Sequence, residues 1–427
     1  MTAKADRTTL RGLAGIAHAV LMPALPDALR HPALEVAAQD CLALLPDGDA
    51  SFFGLEVPLA RVGAGFDVLA CLTAREGAGA GLRASLLRQR AAGRAGNPAW
   101  SSCLDLLQAW GEGEARGMLD RIWLEFDLRN GGEASAWPNL FFGPADGVSP
   151  AGFADALPHW LDRLSGASAD PARAAAIRRL TTAAGAGAHV FQVGAMVARP
   201  GLPRRLCFRC TPPVLESGML DVLQGSEAAG ILRREAAWLA PLADRLDVAV
   251  DVGPDGQVAP RLGMEAWFEP SRGEAAHRLG ARRLLDELVA RGLCAPVFAA
   301  VLPEFGGIAT QPASGFWPAS MALVEALTRG ARRGFVMWGL HHIKVTAGPE
   351  GSREAKAYLY CACDSLPAAA LPNANPATGD ASHGSVPLAQ AKRSPDTAPM
   401  THPASPAAAA ASESACNAAP ASISPKR

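Results

Sequence analysis

The sequence predicts an α+β protein in which ten antiparallel strands close into a barrel and helices pack around the outside. Three observations carry this expectation. Strand-like segments come in hairpin pairs, and helical segments separate the pairs, five times along the chain. The strands alternate between an apolar face and a face that mixes charge with Trp or Tyr. Ten strands left open would expose two unpaired edges, which closure removes.

The elements follow in order. Ser51–Leu59 and Phe66–Thr73 form the first pair, across a Gly-containing turn. Helices are predicted near Gly81–Arg94 and Pro98–Met118. Arg121–Leu128 and Asn139–Gly143 make the second pair, followed by helices near Ala151–Leu164 and Pro171–Ala183. His189–Ala198 and Arg204–Cys210 make the third, across Pro200-Gly201. Helices return near Pro213–Leu223 and Glu227–Leu242. Asp247–Val252 and Val258–Phe268 join across Pro254-Asp255-Gly256, a strong turn signal. Helices near Glu274–Arg291 and Pro318–Ala331 bracket a short one at Ala295–Leu302. Phe335–Thr346 and Glu354–Cys361 form the last pair. The repeats share no sequence identity, so the five ααββ-type units are a periodicity of pattern.

The two-residue strand period sorts the side chains. Ile122, Leu124, Phe126 and Leu128 share one face; Trp123, Glu125, Asp127 and Arg129 share the other. Val248, Val250 and Val252 oppose Asp247, Ala249 and Asp251. Leu262, Met264, Ala266 and Phe268 oppose Arg261, Gly263, Glu265 and Trp267. Leu206 and Phe208 oppose Arg205, Cys207 and Arg209, and Ala357, Leu359 and Cys361 oppose Lys356, Tyr358 and Tyr360. The apolar faces belong under the helices and the mixed faces in the lumen.

Of the 427 residues, 49% are hydrophobic, enough for a large core. Lys plus Arg is 40 and Asp plus Glu is 41, a balance that excludes a general nucleic-acid binder. No apolar window is long enough for a membrane span. Lys4, Arg7 and Arg11 precede the apolar run Leu13–Leu25, but His18, Pro23 and Pro26 interrupt it and no small-residue cleavage site follows. Nine scattered cysteines fit a reduced, cytoplasmic chain. The expected organisation is an N-terminal extension over 1–27, one barrel domain over 28–363, and a disordered tail over 364–427. That tail is rich in Ala, Pro and Ser and lacks aromatic residues.

Other motifs carry little. Cys207 and Cys210 are expected on opposite strand faces, which disfavours a shared zinc. His341 and His342 are likewise expected to point apart. Gly77–Gly81 lacks the Lys-Ser/Thr ending of a phosphate loop. No HExxH, GxSxG or Asp-rich metal cluster occurs, so no metal site is expected.

Five consecutive helix–strand–strand–helix units resemble the plan of the ABBA prenyltransferase barrel, over about Ala28–Asp364. Phe53–Leu59 is similar to the first-strand segment of the indole and dimethylallyltryptophan synthase branch, where a Glu takes the proton; Glu56 occupies that place. Phe126-Asp127-Leu128, with Leu140-Phe141-Phe142-Gly143-Pro144, resembles a hairpin of that branch. Lys356-Ala357-Tyr358 resembles its Lys-x-Tyr strand pattern.

The resemblance implies transfer of a prenyl group from an allylic diphosphate to an aromatic small molecule, an indole-type amino acid or a peptide. That chemistry needs a cationic cradle, aromatic faces for an allyl cation, and a carboxylate. Arg205, Arg209, Arg261, Lys344 and Lys356 are candidates for the cradle. Trp123, Glu125, Trp267, His342, Tyr358 and Tyr360 are candidates for substrate contact, and Glu56 for the base. No cofactor is obligatory; magnesium arrives with the diphosphate if at all. Two other readings stay open. The cations can pair with Glu125, Asp127, Asp247, Asp251 and Glu265 in a wet barrel that binds a ligand or peptide without catalysis. A pentein fan needs three strands per repeat and a catalytic Cys, against two strands here.

Overall fold

The computed structural model describes residues 13–42, 45, 50–73, 80–91, 98–112, 118–128, 138–145, 148–165, 171–183, 188–196, 203–210, 218–268, 273–310, 317 and 319–370. The basic N-terminal residues, most of Gly77–Gly81, Arg129, the Pro200-Gly201 turn and the tail beyond 370 lie outside the described residues.

The strands are β1 (Ala50–Pro58), β2 (Asp67–Thr73), β3 (Leu119–Phe126), β4 (Asn139–Pro144), β5 (Ala188–Ala195), β6 (Arg204–Cys210), β7 (Arg245–Val252), β8 (Val258–Trp267), β9 (Gly306–Thr310), β10 (Arg332–Ala347) and β11 (Arg353–Pro367). All pairings are antiparallel. Neighbours follow chain order from β1 to β8; β8 then meets β10, β10 meets β11, and β11 returns to β1. Ten strands therefore close on themselves, as the alternation and the edge argument predict.

Two features depart from expectation. β9 adds a strand that the sequence hides, because Gly-Gly-Ile-Ala-Thr shows no alternation. It pairs with Phe335–Gly339 of β10, while β8 covers only Ile343–Ala347. The last hairpin is also longer than expected. β10 begins at Arg332, so Asp364–Pro367 find partners in Arg332–Phe335 and β11 runs past the expected boundary at 363. Helix ends shift too. The helix from Pro98 stops at Gly111, and Leu119 already belongs to β3.

The outer strand faces and the helices share one core. Ile122, Leu124, Phe126, Val248, Val250, Leu262, Met264, Ala357 and Leu359 are all buried in it. The helix Pro150–Ser165 contributes Phe153, Leu157, Trp160 and Leu161, a stripe at helical spacing. Each such side chain contributes roughly 1.5–3 kcal/mol on burial. Ile16, Ala17, Leu21, Met22 and Leu25, from the apolar run near the N-terminus, pack in the same core. No described helix is long and apolar enough to cross a membrane.

The inner face divides into two levels. Near the ends of β1, β2, β10 and β11 opposite the pocket described below, Phe52, Cys71, Phe335, Met337 and Tyr360 form a second buried cluster. Trp123, Ile308, Ala362 and Leu366 pack against it. The level where β1 finishes and β11 begins is polar.

Candidate active site in the barrel lumen

A pocket with about 450 Å³ of empty space, part of it open solvent, occupies the polar level. Glu56 comes from β1, Arg205 from β6, Ala249 and Asp251 from β7, Arg261 and Gly263 from β8, Lys344 and Thr346 from β10, and Lys356 and Tyr358 from β11. Six expected site residues thus meet at one cavity: Glu56, Arg205, Arg261, Lys344, Lys356 and Tyr358. Strand alternation explains why. Glu56 lies between Leu55 and Val57, both buried in the outer core, so its carboxylate must point inward. Gly263 leaves room for Lys344, because a Cβ there would stand 2.6 Å from Lys344 Cε.

Each cation lies beside a carboxylate. Lys356 Nζ donates to Glu56 Oε1 at 2.5 Å and also lies 3.7 Å from Glu354. Lys344 Nζ donates to Glu265 at 3.0 Å. Arg205 makes a two-pronged contact with Asp251, at 2.8 and 2.9 Å. Arg261, half exposed at the rim, reaches Glu354 at 3.4 Å. Pairing explains how these charges tolerate burial, since an isolated buried ion is costly. Burial opposes the charge on Arg205 and Lys344, but Asp251 and Glu265 hold both pKa values above the ordinary range. The pairs with Asp251 and Glu265 are those of the wet-barrel reading. The Lys356–Glu56 pair is not; it follows from β11 lying beside β1.

Glu56 has a second partner: the Tyr358 hydroxyl donates to its Oε2. Burial, then the charges of Glu56, Glu125 and Glu265, push the Tyr358 phenol far up, so it stays protonated and acts as a donor. Beside it the rings stack in series. Tyr358 and His342 lie 4.2 Å apart and nearly parallel, and His342 and Trp267 lie 4.6 Å apart. Burial, then Lys344 and Arg245, hold the His342 pKa well below its ordinary value, which keeps the imidazole neutral.

The expectation that His341 and His342 point apart is overturned. A bulge between Leu340 and His342 inserts His341 into the ladder, and the two Nδ1 atoms approach to 2.9 Å. Among the described residues, no three His, Cys, Asp or Glu side chains are arranged to hold a metal ion.

The remaining expected residues lie elsewhere on the inner face. Arg209 does not line the pocket; it lies 3.6 Å from Asp247 and over the Phe191 ring. Trp267 carries Arg245 on its face. Trp123 packs against Phe52, with ring centroids 5.0 Å apart, and Phe52 stacks on Tyr360. Glu125 is buried and acts electrostatically on Arg205 and Tyr358. Asp247 is buried, and desolvation lifts its pKa to about 7 against the pull of Arg245 and Arg209. Those arginines stand at 3.2 and 3.6 Å, and neither carboxylate oxygen has an aligned hydrogen bond. Sequence reasoning missed Asp251 and Thr346 as pocket residues, though strand parity places both inward.

No protein-family model matches the chain, and neither does any curated protein. Solved structures do. 5-Dimethylallyl tryptophan synthase from Streptomyces coelicolor, in complex with DMASPP and Trp, is 13% identical, with a TM-score of 0.44 over 82% of this chain and 95% of that one. Prenyltransferase PriB in its apo form is 13% identical, with a TM-score of 0.45 over 82% and 96%. AnaPT from Neosartorya fischeri is 12% identical, with a TM-score of 0.38 over 72% and 77%. The chain's own strand pairing, ten antiparallel strands closed inside a layer of helices, makes its fold a prenyltransferase barrel.

Proposed function

We propose that this chain transfers a prenyl group from an allylic diphosphate to an aromatic acceptor, which is a small molecule, an indole-type amino acid or a peptide. The observation that carries the reading is the meeting of Arg205, Arg261, Lys344 and Lys356 with Glu56 and Tyr358 at one lumen cavity, beside the Tyr358–His342–Trp267 stack. The cations would hold the diphosphate and stabilise it as it leaves. The allylic C–O bond breaks and its electron pair departs with the diphosphate. The aromatic faces shelter the allyl cation. The acceptor ring donates a π pair to the allylic carbon, and the ring proton passes to the Glu56 carboxylate, restoring aromaticity. Tyr358 holds that carboxylate in place. No cofactor enters these steps; magnesium would accompany the diphosphate. We place the protein in the cytoplasm, where the cysteines described, all free, would stay reduced.

One observation favours a second reading, a barrel that binds a ligand or peptide without turnover: every pocket cation already lies beside a carboxylate. Calorimetry with dimethylallyl diphosphate, with and without magnesium, separates the two, followed by mass spectrometry of aromatic acceptors. Binding with a product 68 Da heavier supports transfer, the mass of one dimethylallyl unit replacing a proton, about five carbons. Absence of diphosphate binding leaves the ligand-binding barrel.

A further inference from the structure

Arg209 and Arg245 stand at the far end of the lumen from the pocket. Arg209 lies four residues beyond Arg205 on β6, about 13 Å of strand, and shares its inward parity. On β7, Arg245 and Asp247 share the parity of the pocket residue Asp251. The pairing of β6 with β7 sets Arg205 opposite Asp251 and Arg209 opposite Asp247, so the same two residue types face each other at both ends. The two pairs differ in geometry. Arg205 and Asp251 meet in two aligned hydrogen bonds, at 2.8 and 2.9 Å. Arg209 Nε stands 3.6 Å from Asp247 Oδ2, and Arg245 Nε stands 3.2 Å from Oδ1. The Asp247 side chain is 1% exposed, and neither of its oxygens accepts an aligned hydrogen bond. Nε and Nη2 of Arg209 are buried and have no acceptor.

A buried carboxylate between arginines is expected to take aligned, forked contacts, because every unmade hydrogen bond keeps its desolvation cost. Here aromatic rings hold the guanidinium groups. Arg209 lies over Phe191, 4.4 Å from the ring centroid, and Arg245 lies over Trp267 at 4.5 Å. A guanidinium lying on a ring keeps its N–H donors at its edge, directed past the ring. The side chains of Arg209 and Arg245 remain 18% and 16% exposed, so solvent reaches both. The local charge is unbalanced, with two arginines facing one carboxylate. Glu265, across from Asp247 on β8, accepts from Lys344. His189, across from Arg209 on β5, stays neutral, its pKa lowered by desolvation and then by the two arginines. We infer that Arg209 and Arg245 form a second anion site, which binds a small oxyanion bridging the two guanidinium groups in place of Asp247. The Asp247 carboxyl takes up a proton as the anion enters, so that two negative charges do not meet in one buried site. Its folded pKa of about 7, raised by desolvation against the pull of Arg245 and Arg209, makes that proton available near neutrality. The site stands whether or not the barrel transfers a prenyl group.

The test is calorimetry on the full chain at about pH 6 and about pH 8, with sulfate as the tetrahedral oxyanion and acetate as the carboxylate. Neither probe changes its charge across that range. The wild type is expected to bind at least one of them, about tenfold more tightly at the lower pH, the ratio of protonated Asp247 at the two values. Asp247→Asn is expected to bind equally at both. Arg209→Gln should weaken the pH-dependent binding at least tenfold. Arg209→Lys keeps the charge but loses the fork; it should weaken binding several-fold and serves should the glutamine variant unfold. Lys356→Ala, in the pocket already described, should leave the pH-dependent binding unchanged. Failure of both probes to bind the wild type at the lower pH overturns the site. So does binding that is undiminished in a folded Arg209→Gln or Arg209→Lys variant, or that Lys356→Ala abolishes, since the ion would then sit in the described pocket. Equal wild-type affinity at both pH values overturns the exchange with Asp247.

Discussion

Glu56→Gln separates the electrostatic and chemical parts of the proposal, because the two should move in opposite directions. The carboxylate is buried between Lys356 Nζ, at 2.5 Å, and the Tyr358 hydroxyl. Glutamine keeps the shape and an acceptor oxygen but removes the charge. Two charge-assisted hydrogen bonds weaken by about 1 kcal/mol each, and relief of the buried carboxylate's desolvation returns part of that. The net loss is about 1–2 kcal/mol, or about 2–5 °C in thermal midpoint for a domain this large. Meanwhile Lys356 loses its competing partner, and an incoming diphosphate loses a repulsive neighbour. One unit charge at about 5 Å, with an effective dielectric constant near 20, sets an upper bound of about 3 kcal/mol on that repulsion. Screening reduces it, and about tenfold tighter pyrophosphate binding is expected. Transfer, if Glu56 takes the proton, falls about 10²–10⁴-fold. Calorimetry and single-turnover product formation read both quantities on the same sample. A folded variant with undiminished transfer removes Glu56 as the base, and weaker pyrophosphate binding refutes the charge-competition argument.

Other perturbations probe separate parts of the structure. Gly263→Ala puts a methyl group into Lys344, so pyrophosphate binding should weaken several-fold although no charge is removed; unchanged binding would show that Lys344 is no part of the cradle. Ending the chain after Cys363 removes the pairing of Asp364–Pro367 with Arg332–Phe335 and the packing of Leu366, so the thermal midpoint should fall by several degrees. Ending it after Ala370 should leave the midpoint unchanged, and equal midpoints for the two truncations would show that these rungs contribute nothing. Asp247 gives a pH signature. Its folded pKa of about 7 exceeds the ordinary 3.8, so the folded state binds the proton more tightly, and this contribution is lost as pH rises through 7. Asp247→Asn lacks that loss. Its stability relative to wild type should therefore rise between about pH 4 and 7 and level off above that, as denaturant midpoints would report, and a constant difference would remove Asp247 as the titrating group.

How much of this was legible in the sequence depended on whether the information was local. Strand parity is local. The Ile122/Leu124/Phe126 and Trp123/Glu125 faces fall where alternation puts them, because an inward-facing leucine and an outward-facing glutamate would both be penalised. The bulge at His341 breaks the same rule from within. One extra residue reverses parity for the rest of β10, and nothing in Gly-Leu-His-His-Ile marks where it sits. Phe335 and Met337 therefore share the inner face with His342 and Lys344 although their numbers differ in parity. β9 was hidden because two glycines and an alanine leave no apolar face to read.

The ion pairs show a different limit. Lys356 and Glu56 lie 300 residues apart, and only closure of β11 onto β1 brings them into register beside one another. Reading five inward cations as a diphosphate cradle counted charges on single strands; their partners arrive from neighbouring strands. The pairs do not argue against an anionic ligand, because cations buried in a lumen need compensating charge before any anion arrives. They set the terms on which an anion enters. Each lysine must exchange a carboxylate for a phosphate oxygen, and the released carboxylate must find water, a second cation or a proton. Glu56 retains Tyr358 as a donor after such an exchange. Arg205 grips Asp251 through two aligned hydrogen bonds, at 2.8 and 2.9 Å, where the contacts of Lys344 with Glu265 and of Lys356 with Glu56 are single, so Arg205 is the cation that should yield its carboxylate least readily. Removing Arg205 should accordingly cost less pyrophosphate affinity than removing Lys344 or Lys356. If Arg205→Ala proves the most damaging of the three in a folded protein, the exchange of partners is the wrong description of this lumen.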